Sequence, residues 1–187
     1  MRHELILGGQ RSGKSRCAEA RAQAWLAGDP GRSALFIATA RAHDDEMRTR
    51  ITRHRLDRAA RVPAMATLEE PVALGEALRA HAKAQRMIVV DCLTLWLTNL
   101  VMPQRADPLD DAALAGARGT LLDALRAATE PVVLVTNEIG LGVTPLGVET
   151  RRFVDELGRL HQAVARLCPR VTLMVAGIEV AVKGPGR

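Results

Sequence analysis

The sequence predicts an α/β fold: a mostly parallel central sheet with helices on both faces. Two observations predict its layers. Short apolar, β-branched runs recur at residues 5–7, 34–38, 87–90, 132–135 and 171–175. Longer segments of helical period, at 15–26, 44–58, 71–84, 110–128 and 149–167, separate them. A third observation fixes the first unit, because the run Glu4-Leu5-Ile6-Leu7 leads straight into a glycine-rich loop and then into Arg16-Cys17-Ala18-Glu19-Ala20-Arg21, a strand–loop–helix order.

Each later element has its own signals. Gly28-Asp29-Pro30-Gly31 stops the first helix. The second helix begins on Asp44-Asp45-Glu46 and ends among arginines, so its charges complement the helix dipole at both ends. The strand Met87-Ile88-Val89-Val90 closes on Asp91, and the next closes on Thr136-Asn137-Glu138, followed by a flexible Gly140-Leu141-Gly142 loop. Between them the run from Met102 to Pro108 reads as a loop with Asp110 as the N-cap beyond it. The final residues, 184–187, are expected to form a frayed tail.

With 187 residues the chain suffices for one full domain, 1–187, and is short for two. Its hydrophobic content of 48% suits a soluble protein. No apolar stretch approaches the roughly 20 residues of a membrane span, and the apolar start is too short for a signal segment, so a cytoplasmic location without an integral membrane segment is expected. Cys17, Cys92 and Cys168 lie far apart without metal-ligand spacing and read as buried reduced thiols. The net charge of +5 comes from arginines spread along the chain, and aromatics make up only 2%. That pattern favours small phosphorylated substrates and argues against a nucleic-acid partner.

The chemistry is concentrated in the loop Gly8, Gly9, Gln10, Arg11, Ser12, Gly13, Lys14, Ser15, which spells G-x-x-x-x-G-K-S. Glycines let consecutive N–H groups wrap a triphosphate, Lys14 reaches the β and γ oxygens, and the Ser15 hydroxyl ligates Mg²⁺. Asp91 at its strand end is either a Mg²⁺-binding carboxylate or a cap for the following turn. Thr136, Asn137 and Glu138 are either phosphate or substrate contacts or ordinary strand-closing residues. On the arginine-rich helix Met47, Ile51 and His54 share one face. His54 there is either a hydrogen-bonded packing residue or, between Arg53 and Arg55, a nucleophile for phosphate chemistry.

Five segments in order carry a resemblance: G-G-x-R-S-G-K-S at the loop, Ile37-Ala38-Thr39, D-D-E-M with R-I-x-x-H-R between Asp44 and Arg55, Asp91-Cys92-Leu93-Thr94 with Thr98-Asn99, and V-T-N-E-x-G-x-G from Val135 to Gly142. Together they resemble the bifunctional adenosylcobinamide kinase and adenosylcobinamide-phosphate guanylyltransferase family of cobalamin biosynthesis. The resemblance implies a RecA-like P-loop NTPase fold, a homotrimer, and ATP and GTP as substrates alongside adenosylcobinamide and adenosylcobinamide phosphate. It implies catalytic roles for His54, as carrier of a covalent GMP, and for Lys14. It also implies nucleotide contacts from the loop, from Thr39, Ala40 and Arg41, from Arg55, Leu56, Asp57 and Arg58, and from Glu69, with Glu70 as its neighbouring alternative, and Asp91. The chain departs from the family at Thr144-Pro145-Leu146-Gly147, where relatives read V-P-E-N.

Overall fold

A computed structural model describes residues 3–104 and 106–184. In chain order the elements are β1 (His3–Gly8), α1 (Lys14–Ala27), β2 (Ser33–Ala38), α2 (Asp45–Arg61), β3 (Met65–Glu69), α3 (Leu74–His81), β4 (Arg86–Asp91), α4 (Leu93–Val101), α5 (Asp111–Ala127), β5 (Val132–Val135), α6 (Val148–Leu167), β6 (Arg170–Val175) and β7 (Ile178–Lys183). The strands form one sheet in the order β3-β2-β4-β5-β1-β6-β7. All neighbours run parallel except β7, which folds back antiparallel on β6. The fold class is the α/β architecture expected.

Alternation along the strands splits the core in two. Leu5, Leu35, Ile37, Ile88, Val90 and Leu134 meet Trp96, Leu121, Leu125, Leu157 and Leu160 from α4, α5 and α6 on one face. Ile6, Phe36, Val89, Val133 and Val135 meet Cys17, Ala18 and Ala22 of α1 on the other. Helices therefore cover both faces, as β-branched runs buried on two sides require.

Every predicted element is present, and the boundaries move for local reasons. The third helix begins at Leu74 instead of residue 71. Glu70 Oε1 accepts the N–H groups of Val72 and Ala73 at 2.9 and 2.7 Å, and the Val72 and Pro71 carbonyls are taken by Trp96 Nε1 and Asn99 Nδ2, so this stretch is held as a turn. Asp110 caps α5 by accepting Ala113 N–H at 2.7 Å. Strand β3, helix α4 and strand β7 are additions to the sequence reading. The three cysteines are free and buried, and burial pushes Cys17 up to about 11 and Cys92 and Cys168 up to about 12. Of the tail, Gly184 is described with φ +90, and residues 185–187 lie outside the described residues.

One polar cluster is embedded in the sheet. Glu4, on β1 and almost fully buried, pairs with Arg21 of α1 at 2.9 Å and Arg170 of β6 at 3.2 Å, and accepts the Thr172 hydroxyl at 2.7 Å. Arg21 also reaches Glu179 of β7 at 2.5 Å, tying α1 to the antiparallel edge.

Candidate active site

The strand ends of β1, β4 and β5 meet at one edge, where Asp91 pairs with Val135 and Val135 with Ile6. Ligands in open parallel sheets lie beyond such carboxyl ends. The loop from Gly8 to Lys14 leaves β1 here, and two glycines shape it. Gly8 has φ +154, and a Cβ there would lie 2.5 Å from Met174 O and 2.6 Å from Ser12 Oγ; Gly13 has φ +100 at the cap of α1. Only glycine fits both requirements.

No side chain caps α1 and no acidic residue stands in its first turn. Its N-terminal N–H groups are thus left for an anion, with the helix dipole behind them. Lys14 Nζ donates to Gly9 O at 2.6 Å, folding the ammonium back over the loop. Burial holds Lys14 below its usual range, although Asp91 pulls it upward. Ser15 Oγ donates to Asp91 Oδ2 at 2.6 Å, joining residues 76 apart in sequence. Asp91 is therefore not the cap of the next helix: that position belongs to Cys92, whose Sγ accepts Leu95 N–H at 3.5 Å. Ser12 Oγ is buried without a hydrogen-bond partner.

Helix α2 crosses this edge with little apolar anchoring, and its one buried residue is Arg58. The Arg58 guanidinium lies 3.8 Å over the Phe36 ring and donates to Thr67 Oγ1 at 3.2 Å. Arg61 reaches Glu19 of α1 at 2.5 Å, and Arg55 pairs with Glu69 at the end of β3. Burial lowers the proton affinity of both Lys14 and Arg58; Arg50 adds to the lowering at Lys14, and Asp91 opposes it at Arg58. At four-residue spacing Arg50, His54 and Arg58 lie on one stripe of the helix. His54 is exposed on it.

The remaining expected residues have distinct places. Thr39 is fully buried and exchanges hydrogen bonds with Cys92, donating to its carbonyl at 2.7 Å and accepting its N–H at 2.8 Å. Ala40 is half-buried and Arg41 exposed beyond it. Leu56 is exposed, and Asp57 faces Arg61 at 3.6 Å. Glu70 is spent on the turn before α3, which leaves Glu69 as the carboxylate facing α2.

The sequence reading passed over His161. It lies on α6 beside the inward stripe of Phe153, Leu157, Leu160 and Val164. That placement, a histidine one residue from a buried leucine in an amphipathic helix, was the available signal. Its Nε2 is 2.8 Å from Thr136 Oγ1, and its Nδ1 faces Glu138 Oε2 at 3.7 Å.

A glycine-shaped phosphate loop, its lysine, and a serine–aspartate pair at the end of a parallel sheet define a P-loop nucleotide-binding protein. Solved structures agree on the fold: the flagellar accessory protein FlaH from Methanocaldococcus jannaschii has a TM-score of 0.53 at 10% identity, covering 98% of this chain and 78% of that one. A KaiC-like protein from Pyrococcus horikoshii gives 0.51 at 14%, covering 92% and 70%. Residues 4–182 match the family described as cobinamide kinase / cobinamide phosphate guanyltransferase, and the chain belongs to that family. It is 50% identical over 184 residues to the bifunctional adenosylcobalamin biosynthesis protein CobP of Pseudomonas aeruginosa, spanning 97% of both chains. It is 37% identical to CobU of Escherichia coli and 38% to CobU of Salmonella typhimurium, each over 96% of this chain and 98% of the relative. The protein is thus an enzyme with two activities, a kinase and a nucleotidyltransferase of adenosylcobalamin biosynthesis.

Proposed function

We propose that the enzyme phosphorylates the aminopropanol hydroxyl of adenosylcobinamide with ATP or GTP, and then transfers GMP from GTP to the product through a covalent GMP on His54. In the first step the substrate oxygen bonds to the γ-phosphorus, the bond to the β,γ-bridging oxygen breaks, and the nucleoside diphosphate leaves. In the second, an imidazole nitrogen of His54 attacks the α-phosphorus and expels pyrophosphate. A phosphate oxygen of adenosylcobinamide phosphate then displaces the histidine, giving adenosylcobinamide-GDP.

The observation that carries this reading is the stripe Arg50, His54, Arg58 on a helix that Arg61 ties to Glu19 of α1, the helix that opens from the phosphate loop. The exposed guanidinium groups of Arg50 and Arg53, on the same helix as the exposed imidazole, suit a phosphoramidate. Lys14 stabilises the charge that develops on the transferring group, and its low-lying proton affinity reflects a desolvated site where that charge acts strongly. The nucleotide is held by residues 8–15, 39–41 and 55–58, with Glu69 and Asp91. Ser15 Oγ and Asp91 Oδ2, 2.6 Å apart, are a hard-oxygen pair suited to Mg²⁺. Bound there, Mg²⁺ would neutralise charge on the β and γ oxygens.

The same reading includes a cytoplasmic homotrimer with small-molecule substrates. Helix α2 buries one residue, and the edge strand β7 leaves Ile178 and Val182 exposed at 67% and 61%; both surfaces are suited to a neighbouring subunit. Light scattering of the active protein should give three chains, and a monomer would refute the assembly.

Incubation with GTP labelled at the α-phosphate tests the chemistry. An acid-labile, base-stable adduct is expected, absent with γ-label and absent in His54→Ala, which should keep its kinase activity. An adduct that survives in His54→Ala moves the nucleophile elsewhere. A wild type without an adduct leaves a kinase in which His54 is structural.

A further inference from the structure

Beside the phosphate loop runs a chain of polar groups that neither proposed reaction has used. Asn137 N–H donates to Thr94 Oγ1 at 2.8 Å, Thr94 Oγ1 lies 3.0 Å from Thr136 Oγ1, and Thr136 Oγ1 lies 2.8 Å from His161 Nε2. Nδ1 of that ring faces Glu138 Oε2 at 3.7 Å. The directions of these bonds follow from the carboxylate end. On a neutral ring the proton belongs on Nδ1, because a bare Nδ1 lone pair would otherwise face Glu138. Nε2 then accepts the Thr136 proton, and Thr136 Oγ1 accepts that of Thr94. Burial favours the neutral ring that this arrangement needs.

Glu138 is held on its other sides as well. Its N–H donates to the Gly8 carbonyl at 3.0 Å, which places it against the first residue of the phosphate loop, and Oε1 accepts Gly140 N–H at 2.6 Å. Strand β5, which it follows, lies between β1 with the loop and β4 with Asp91. Asp91 is engaged by Ser15. The Glu138 side chain is 22% exposed, so it is reachable from solvent at the sheet edge while its other faces are fixed.

Resting on the kinase reading above, we propose that Glu138 is the general base of the phosphorylation step and that His161 is the residue that positions it. As the acceptor hydroxyl oxygen bonds to the γ-phosphorus, its proton passes to Glu138, the bond to the β,γ-bridging oxygen breaks, and the nucleoside diphosphate leaves with that electron pair. Glu138 afterwards returns the proton to solvent. The guanylyl steps need no such base, because a neutral imidazole and an already ionised phosphate are the nucleophiles. The two activities therefore separate at this residue.

The experiment compares both activities in wild type, Glu138→Gln, Glu138→Ala and His161→Gln. Glu138→Gln should lower kinase kcat by about 10²- to 10⁴-fold, leave KM for the nucleotide within about threefold, and leave labelling by α-labelled GTP unchanged. Added formate should restore part of the kinase rate in Glu138→Ala. His161→Gln should lower kinase kcat by about tenfold with the same unchanged KM and labelling. Wild-type kinase turnover in Glu138→Gln overturns the proposal. So does a parallel fall in labelling, which would make Glu138 a support for the loop. Failure of the underlying kinase reading would show differently, as a wild type that does not phosphorylate adenosylcobinamide.

Discussion

Glu4→Gln removes one charge from the ion cluster embedded in the sheet and keeps its shape. The carboxylate is 1% exposed and takes Arg21 Nε at 2.9 Å, Arg170 Nε at 3.2 Å and the Thr172 hydroxyl at 2.7 Å. An amide in its place keeps one acceptor oxygen and turns an NH₂ toward groups that are themselves donors. Each charged hydrogen bond contributes about 1.5–3 kcal/mol. Breaking a buried ion pair from one side costs about 3–5 kcal/mol. Glu179, at 2.5 Å from Arg21 and 3.5 Å from Arg170, partly compensates the two guanidinium groups, so the lower end, about 3 kcal/mol, is expected. For a chain of this size each kcal/mol moves Tm by about 2–4 °C, which gives a fall of about 6–12 °C. Scanning calorimetry of both proteins at two salt concentrations measures it. The fall should be the same at both, because screening acts weakly on buried pairs. A fall under about 2 °C, or one that vanishes in high salt, would refute the claim that this cluster holds α1 to the sheet.

Lys14→Ala should reduce phosphorylation of adenosylcobinamide by about 10²- to 10³-fold while the melting curve keeps its cooperativity; a near wild-type rate in a kinase assay would sink the role given to the loop. Asp91→Asn should weaken Mg²⁺-dependent turnover more than nucleotide binding, and identical Mg²⁺ titrations of mutant and wild type would remove Asp91 from the metal site. His161 is held below the ordinary 6.5 by burial, against the pull of Glu138. As pH falls through about 6.5 the unfolded chain takes up this proton first, so stability is full above that pH and declines on its acid side. Comparing Tm at pH 7.5 and 5.5 should show a smaller acid loss in His161→Gln than in wild type, and equal losses would refute the assignment.

What could be read from sequence was what a short stretch dictates by itself. The phosphate loop was legible because Gly8 and Gly13 meet backbone demands stated within eight residues, and the buried strands were legible as runs of apolar, β-branched residues. Strand β3 was not: it is an edge strand in which Met65 alone is buried, so it shows neither a run nor clean alternation. Helix α4 buries seven of its nine residues, which erases the polar face that marks a helical period. Strand β7 has the β-branched composition of a strand, but it follows a two-residue reversal at Ala176 and Gly177, both at positive φ. In the site, His54 and Asp91 were marked by motif, whereas His161 needed the fold. Its partners Thr136 and Glu138 are 25 and 23 positions away, joined only by the path of the chain from β5 into α6.

The way α2 is fastened determines how this part of the molecule opens. Among the described residues it is tied down by guanidinium contacts: one cation–π stack worth about 1–2 kcal/mol and partly exposed ion pairs worth about 0–1 kcal/mol each. Lifting the helix from the sheet therefore costs about 1–4 kcal/mol, short of the roughly 5–15 kcal/mol of global unfolding. A gap of that size keeps the lifted form at about 0.1–15% of molecules at any moment. In hydrogen exchange the amides of α2 should open before those of β1, β4 and α4, which wait for the whole core. The histidine we propose as the GMP carrier thus rides on a segment held more weakly than the sheet and loop that carry Lys14 and Asp91.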